Sequence, residues 1–188
     1  MNEQYKLIES TVRATFGGVV WSHKIQEKQA DLDSSQFKHM EIAKIFAASI
    51  TSVGIISLLF VDQAWVKIAS AIVSFVPIFV SAFYKSFDLQ TMFGQHKSTA
   101  NKLLGIREEL KVLIIKILLE QESPEKLIEV YEGILSRLNE VYADAPNTTD
   151  RAVALARTAL NVTKDNTFTD EEIDSFLPGE LRRENRCH

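Results

Sequence analysis

The sequence is poor in cysteine, since Cys187 is the only one among 188 residues. An intramolecular disulfide is therefore impossible, and disulfide-stapled secreted scaffolds are excluded. An excess of basic residues is also lacking, because 21 Lys and Arg stand against 25 Asp and Glu for a net charge of −4. This argues against a general nucleic-acid binder, which normally carries a basic field. The hydrophobic fraction of 46% excludes wholesale disorder.

Signatures of catalysis and of metal binding are missing as well. The chain has no phosphate-cradling glycine loop and no nucleophile elbow. Its four histidines, at positions 23, 39, 96 and 188, do not pair at the helical spacing of metal ligands. Asp31, Asp33 and Ser35 resemble the start of a calcium loop, but Gln36 and Ile42 occupy positions where such a loop needs glycine and glutamate. We therefore expect no enzymatic activity and no cofactor.

Two apolar runs of equal length organise the middle of the chain. Residues 45–61 and 68–84 each form a run of 17 residues without a charge, and residues 62–67 separate them. At about 1.5 Å per residue each run covers about 25 Å, close to the ~30 Å hydrocarbon core of a bilayer. A chain of this size has little material to cover two helices that are apolar on every side. The runs therefore favour a transmembrane hairpin over a hairpin buried in a soluble bundle.

Positive charges lie at the outer ends of this hairpin. Six lysines flank the two runs, against Lys67 alone in the connecting loop: Lys28, Lys38, Lys44, Lys85, Lys97 and Lys102. Loops with more Lys and Arg remain in the cytoplasm, so both termini are predicted to be cytoplasmic. The predicted parts are an N-terminal cytoplasmic helix (1–40), a transmembrane hairpin (41–86) and a C-terminal cytoplasmic helical region (87–188).

The flanking regions have helical signals throughout, and no stretch alternates as a convincing strand. The segment from Asp31 to Ser35 is predicted to break the N-terminal helix. Ser123 and Pro124 are typical of a helix start, and a further helix is expected over residues 150–162. Residues 169–172 form a capping box that opens a short last helix. The chain is predicted to be all-α, with a cytoplasmic helical bundle attached to the hairpin.

An apolar stripe with 3-4 spacing follows the second run. It consists of Leu89, Phe93, His96, Ala100, Leu103, Leu110, Ile114 and Ile117. Since no Gly/Pro pair separates the stripe from Tyr84, the second span is predicted to continue as one helix to about Glu120. The stripe faces either its own neighbours in the bundle or other copies of the chain. His96 within it is typical of a hydrogen-bonded core histidine rather than a catalytic one.

The second run has a polar side. At about 100° per residue, four positions fall within a sector of about 60°, and these are Ser70, Ser74, Pro77 and Ser81. In an oligomer this side is predicted to line a narrow hydrated path, with Lys85 and Asp88 at its inner mouth and Lys67 at its outer mouth. The alternative is that the small serines allow close helix packing. Because two helices cannot enclose a pore, a channel requires a homo-oligomer.

Short segments of the chain point to a known family. The long helix opens with residues 87–93 (FDLQTMF) and continues through His96 and Ala100, and residues 168–178 (FTDEEIDSFLP) close the chain before Leu181 and Arg182. Together with the N-terminal helix and the tight hairpin, these segments resemble the SLATT superfamily of two-transmembrane effectors, which accompany bacterial nucleotide-second-messenger and related conflict systems. The resemblance implies an effector of the bacterial inner membrane that opens pores or disrupts the membrane during infection and leads to cell suicide.

Two functions remain open from the sequence. In the first, the chain is an oligomeric pore-forming effector of antiviral defence, held closed until a nucleotide second messenger or a sensor protein rearranges its cytoplasmic helices. In the second, the hairpin is a non-conducting anchor, and the cytoplasmic helices are a scaffold or adaptor that binds partner proteins. In both, the lipid bilayer is the partner of the hairpin, and no direct contact with nucleic acid is expected.

Overall fold

A computed structural model describes residues 3–57, 63–165, 167–178 and 182, without the side chains of residues 50–57, 74, 80 and 83–87. Over these ranges the ordered elements are all helices, which confirms the all-α prediction. The helices are α1 (Glu3–Ser57), α2 (Ala64–Phe87), α3 (Leu89–Leu118), α4 (Pro124–Asp144), α5 (Asp150–Asn161) and α6 (Asp170–Phe176).

The long helix α1 does not break where the sequence predicts. It continues through Asp31–Ser35, so the predicted break is wrong. The reason is tertiary, because Ala30 and Asp33 are buried and Asp33 accepts a hydrogen bond from Gln29 one turn earlier. Asp33 thus stays within the helix instead of capping a new one, and packing overrides the local turn signal. The N-terminal region and the first apolar run consequently belong to one helix, which is described as far as Ser57.

The second predicted span does not continue into the stripe. Asp88 interrupts the helix with φ 29° and ψ 52°, so the prediction of one continuous helix from the second run to about Glu120 is wrong. The Asp88 carboxylate accepts a hydrogen bond from the Thr91 backbone N–H at 3.3 Å and caps α3. Aspartate tolerates the left-handed region better than most residues and is a strong N-cap, which explains why one residue suffices for the break.

The core lies among α1, α3 and α4. Helix α3 contributes buried residues at alternating spacings of three and four, namely Leu103, Ile106, Leu110, Leu113 and Ile117. Ile8, Val12 and Val19 of α1 and Leu127, Ile134 and Leu138 of α4 close the same cluster. Helix α1 runs antiparallel to α3, and α4 returns alongside α1, where Tyr131 and Thr15 share a hydrogen bond of 2.7 Å. Helix α5 packs on α1 and buries three alanines, Ala152, Ala156 and Ala159.

Local caps set the starts of the later helices. Ser123 accepts from the Lys126 backbone N–H, and Pro124 opens α4. Thr149 caps α5 through the Ala152 N–H, and Thr169 and Glu172 form the reciprocal capping box of α6. The starts of α4, α5 and α6 confirm the sequence predictions. They could be predicted because capping depends on residues only three positions apart.

Candidate functional site: an apolar hairpin and a buried polar junction

The buried face of α1 changes character along the helix. Between Ile8 and Val19 the buried side chains are apolar. Between His23 and Asp33 the buried positions keep nearly the same helical spacing, but most of their side chains are polar. Among the described side chains of α1, the buried polar ones are His23, Lys24, Gln26, Gln29 and Asp33. Sequence reasoning missed this set, although extending the 3-4 spacing from Val19 to positions 23, 26, 30 and 33 would have located most of it.

His96 of α3 lies against this polar face and is 1% exposed. Its Nδ1 is 2.6 Å from Gln26 Oε1, and its Nε2 is 3.6 Å from Asp33 Oδ2. Gln26 uses its amide nitrogen to donate to the Pro146 carbonyl at 3.3 Å, which leaves Oε1 as the acceptor for an N–H on Nδ1. The prediction of a hydrogen-bonded core histidine is confirmed.

The connection between α4 and α5 closes the network from the other side. Gln29 Nε2 donates to Asp33 Oδ1 at 2.8 Å, while Gln29 Oε1 accepts from the backbone N–H and the hydroxyl of Thr149 at 3.0 and 2.8 Å. We call the set Gln26, Gln29, Asp33 and His96, with Pro146 and Thr149, the polar junction. It joins α1, α3 and the α4–α5 connection through side chains that are far apart in the sequence.

One atom of the polar junction lacks a hydrogen bond. Asp33 Oδ2 has no hydrogen-bond partner among the described residues, although it faces His96 Nε2. Burial lowers the pKa of the His96 imidazole below its ordinary value, and the Asp33 carboxylate offsets only part of that effect. At neutral pH the imidazole is therefore uncharged with its proton on Nδ1, and two acceptors face each other across the junction.

A second buried histidine and a buried lysine extend the polar face toward α5. Lys24 Nζ lies 2.7 Å from a Glu27 oxygen and 3.5 Å from Asp165, just beyond the end of α5. Burial lowers the pKa of His23, Glu27 opposes this shift, and the nearby cations of Arg107, Lys24 and Lys97 reinforce it. The end of α5 is therefore held to the same stretch of α1 as the α4–α5 connection.

The hairpin carries large apolar side chains on its outside. In α2, Phe75 is 68% and Phe79 is 70% exposed. Other exposed apolar residues lie at the same end of the molecule, and they are Ile42, Ile45, Phe46, Trp65, Ile68, Ile72, Val76 and Ile78. A concentration of exposed apolar side chains of this kind is typical of a site of interaction with a membrane or a protein. Over the described residues, none of the helices combines the length and the apolar character that a membrane crossing requires.

The predicted serine side of α2 is only partly outward. Ser70 and Pro77 are half-buried, together with Val66 and Val73, and α1 is the helix that packs against α2. Ser81 is exposed and lines a groove with Phe37, Met40 and Lys44 of α1, a groove that Asp88 also lines. The side chain of Ser74 lies outside the described part.

The residues predicted to line the mouths of the path differ in exposure from the residues of the α3 stripe. Lys67 and Asp88 are exposed, and the side chain of Lys85 lies outside the described part. Of the stripe, Leu89, Phe93 and Ile114 are half-buried, and five residues are buried within the chain: His96, Ala100, Leu103, Leu110 and Ile117. The stripe therefore packs on α1 and α4 of its own chain.

A family model matches residues 8–172 of the chain, and its description is SMODS and SLOG-associating 2TM effector domain family 4. The chain belongs to the SLATT family. Membership implies a membrane effector of conflict or defence systems, and SLATT effector domains are not known as enzymes. Neither the curated proteins nor the solved structures gave a match to this SLATT chain.

The matched region contains both features described above, since it begins at Ile8 and extends into α6. Within the described part of this SLATT chain, no group of three His, Cys, Asp or Glu side chains is arranged to hold a metal ion. What the polar junction offers chemically is a set of neutral and charged hydrogen-bonding groups that tie helices together.

Proposed function

We propose that the chain is an oligomeric effector that permeabilises the bacterial inner membrane in antiviral defence and thereby causes cell death. Membership of a two-transmembrane effector family supports this proposal. The exposed apolar residues at the end of α1 and along α2 support it too, because such a surface is unfavourable in water and favourable in lipid. The carrying observation is that these residues lie together at one end, next to a well-packed helical body.

The topology proposed is a hairpin in the membrane with both termini in the cytoplasm. The lysines flanking the two apolar runs support this orientation. The activating signal is a nucleotide second messenger or a sensor protein that acts on the cytoplasmic helices. Copies associate through the hairpin, since the α3 stripe is already covered by α1 and α4 of the same chain.

The chain offers a direct test of the hydrated path. Its single cysteine can be removed by Cys187→Ser, after which Ser70→Cys or Phe75→Cys introduces one thiol into the hairpin. The protein is reconstituted into vesicles, and ion flux is recorded before and after a charged, membrane-impermeant thiol reagent. A thiolate reacts only where water reaches it, so block of flux at position 70 and no block at position 75 is the expected result.

The matched pair separates three outcomes. Block at 70 alone supports a path lined by the serine side. Block at neither position, with normal flux, would show that ions cross elsewhere and would contradict the assignment of Ser70. Absence of flux from the wild-type protein under every activating condition would defeat the permeabilising function itself.

One observation favours the anchor alternative. Ser70 and Pro77 are half-buried and α2 packs against α1, which is what small side chains do when they only allow close helix packing. In that case the hairpin is a non-conducting anchor, and the cytoplasmic helices bind partner proteins. Replacing both arms of the hairpin with an unrelated membrane hairpin would then preserve activity in cells, whereas loss of activity would count against the anchor.

A further inference from the structure

The polar junction lies at the base of the apolar hairpin, where both of its arms leave the helical body. On α1, Asp33 precedes Ile45 by twelve residues, about 18 Å of helix. On α3, His96 follows the first residue, Leu89, by seven residues, about 10 Å. We call residues 34–44 of α1 and 89–95 of α3 the two stalks. The contacts of His96 with Gln26 and Asp33 therefore tie the stalks together at their base.

The α4–α5 connection covers this tie from outside. Pro146 accepts a hydrogen bond from Gln26, and Thr149 donates two to Gln29. Gln26 and Gln29 are buried beneath the connection, whereas Asn147 of the connection is exposed. Each of the two glutamines thus links the connection to the tie, Gln26 through His96 and Gln29 through Asp33.

The surface beneath the connection is polar, and this makes its detachment inexpensive compared with opening the apolar core. Water can replace the hydrogen bonds that Gln26 and Gln29 make, so their exposure carries little hydrophobic cost. Detachment would also hydrate Asp33 Oδ2, which has no hydrogen-bond partner among the described residues. By contrast, separating α3 from α4 would expose fully buried leucines and isoleucines. The connection is therefore suited to open while the apolar core between α3 and α4 stays closed.

We propose that the α4–α5 connection is a releasable latch: when bound to Gln26 and Gln29 it holds the two stalks together, and when it detaches the stalks separate and the hairpin rearranges. The last step rests on the proposed membrane function, whereas the coupling between latch and stalks does not. A signal that acts on α4 or α5 reaches the hairpin by this route without contacting it.

Two spin labels measure stalk separation directly. In a Cys187→Ser background, the substitutions Lys38→Cys and Gln95→Cys place one label on each stalk. Both positions are exposed. Gln26→Leu removes the bonds to Pro146 and His96 at nearly constant shape, and Gln36→Leu makes the same change at an exposed position of α1. We expect Gln26→Leu to raise the population of longer distances by about thirtyfold, as for loss of two hydrogen bonds in a two-state equilibrium. Gln36→Leu should keep the wild-type distance.

A second variant guards against simple unfolding. Gln26→Glu keeps an oxygen for His96 Nδ1 but loses the donor to Pro146, so it weakens the latch, which Gln29 still binds through Thr149, and spares the tie to α3. Circular dichroism identifies which variants remain helical. A folded Gln26→Leu or Gln26→Glu protein with an unchanged stalk distance would overturn the latch.

The same labelled proteins report on function in vesicles. Faster dye release from Gln26→Leu than from Gln36→Leu, with the longer stalk distance, supports both the latch and the permeabilising effector. A longer distance without dye release from any variant or from the wild type supports the latch and defeats the proposed function. Faster dye release with an unchanged distance defeats the latch and leaves the proposed function standing.

Discussion

Gln26 Oε1 and His96 Nδ1 lie 2.6 Å apart in the buried polar junction, although the two residues are 70 positions apart in the sequence. This contact joins the helix that enters the apolar hairpin to the helix that leaves it. Both side chains are buried, so water does not compete for the hydrogen bond.

Asp33→Asn is expected to stabilise the protein at neutral pH. An asparagine can keep its oxygen for Gln29 and donate its amide N–H to His96 Nε2, which supplies the hydrogen bond that Asp33 Oδ2 lacks. It also removes a buried charge, so the free energy of unfolding should rise by about 1 kcal/mol in denaturant titrations. Asp31→Asn, at an exposed position two residues away, is the matched control and should change little. A less stable Asp33→Asn protein would show that the Asp33 charge itself holds the junction.

Acidification below about pH 6.5 is expected to destabilise the protein through its two buried histidines. Burial lowers the pKa of both His23 and His96 in the folded state, so between the folded and unfolded pKa values the unfolded chain binds more protons. The contribution of the two neutral histidines to the free energy of unfolding is therefore fully present above about pH 6.5, and it is lost as the pH falls below that value. The thermal midpoint of a His23→Gln/His96→Gln protein should change less between pH 7.5 and 5.5 than that of the wild type.

The control for this pH experiment is His39→Gln, which removes an exposed histidine that contacts the Ser35 carbonyl. An equal loss of stability with pH in the wild type and in the double variant would assign the effect to other groups. The carboxylate of Glu27, whose pKa Lys24 lowers by a hydrogen bond against the effect of burial, contributes at more acidic pH.

Leu103→Ala is expected to lower the free energy of unfolding by about 2–5 kcal/mol, because it leaves a cavity among packed helices. Leu103 is 0% exposed and belongs to the α1–α3–α4 core. Val112→Ala on the same helix, where the side chain is 53% exposed, should change stability by less than about 0.5 kcal/mol. Similar losses in both variants, measured in denaturant, would contradict the assignment of α3 faces.

Asp88→Ala is expected to be less stable than Asp88→Asn by about 1–2 kcal/mol. Alanine loses the cap on the Thr91 N–H and is strained at φ 29°, whereas asparagine can cap and tolerates this backbone conformation. Denaturant unfolding of the two full-length variants checks this difference. If Asp88→Ala equals or exceeds the wild type, α2 and α3 can join into one helix without cost.

The elements that depend on near neighbours can be read from the amino-acid sequence alone. Ser123, Thr149 and Thr169 cap helices through residues three positions ahead, so the starts of α4, α5 and α6 follow from local chemistry. The spacing of Leu103, Leu110 and Ile117 likewise marks the buried face of α3, because helical geometry alone places these residues on one side. The two apolar runs are equally plain in the sequence.

How these elements join depends on the packing of distant parts of the chain. Asp33 carries a turn signal in the sequence, yet its burial with Gln29 and His96 keeps α1 continuous. Asp88 lies in a stretch whose sequence predicts one continuous helix. Its backbone conformation nevertheless interrupts the helix, and its carboxylate caps α3. The polar junction combines residues that are 70 and 120 positions apart, and no local pattern specifies which buried polar groups meet. Capping needs one turn of helix, whereas such contacts exist only after α1, α3 and the α4–α5 connection have packed together.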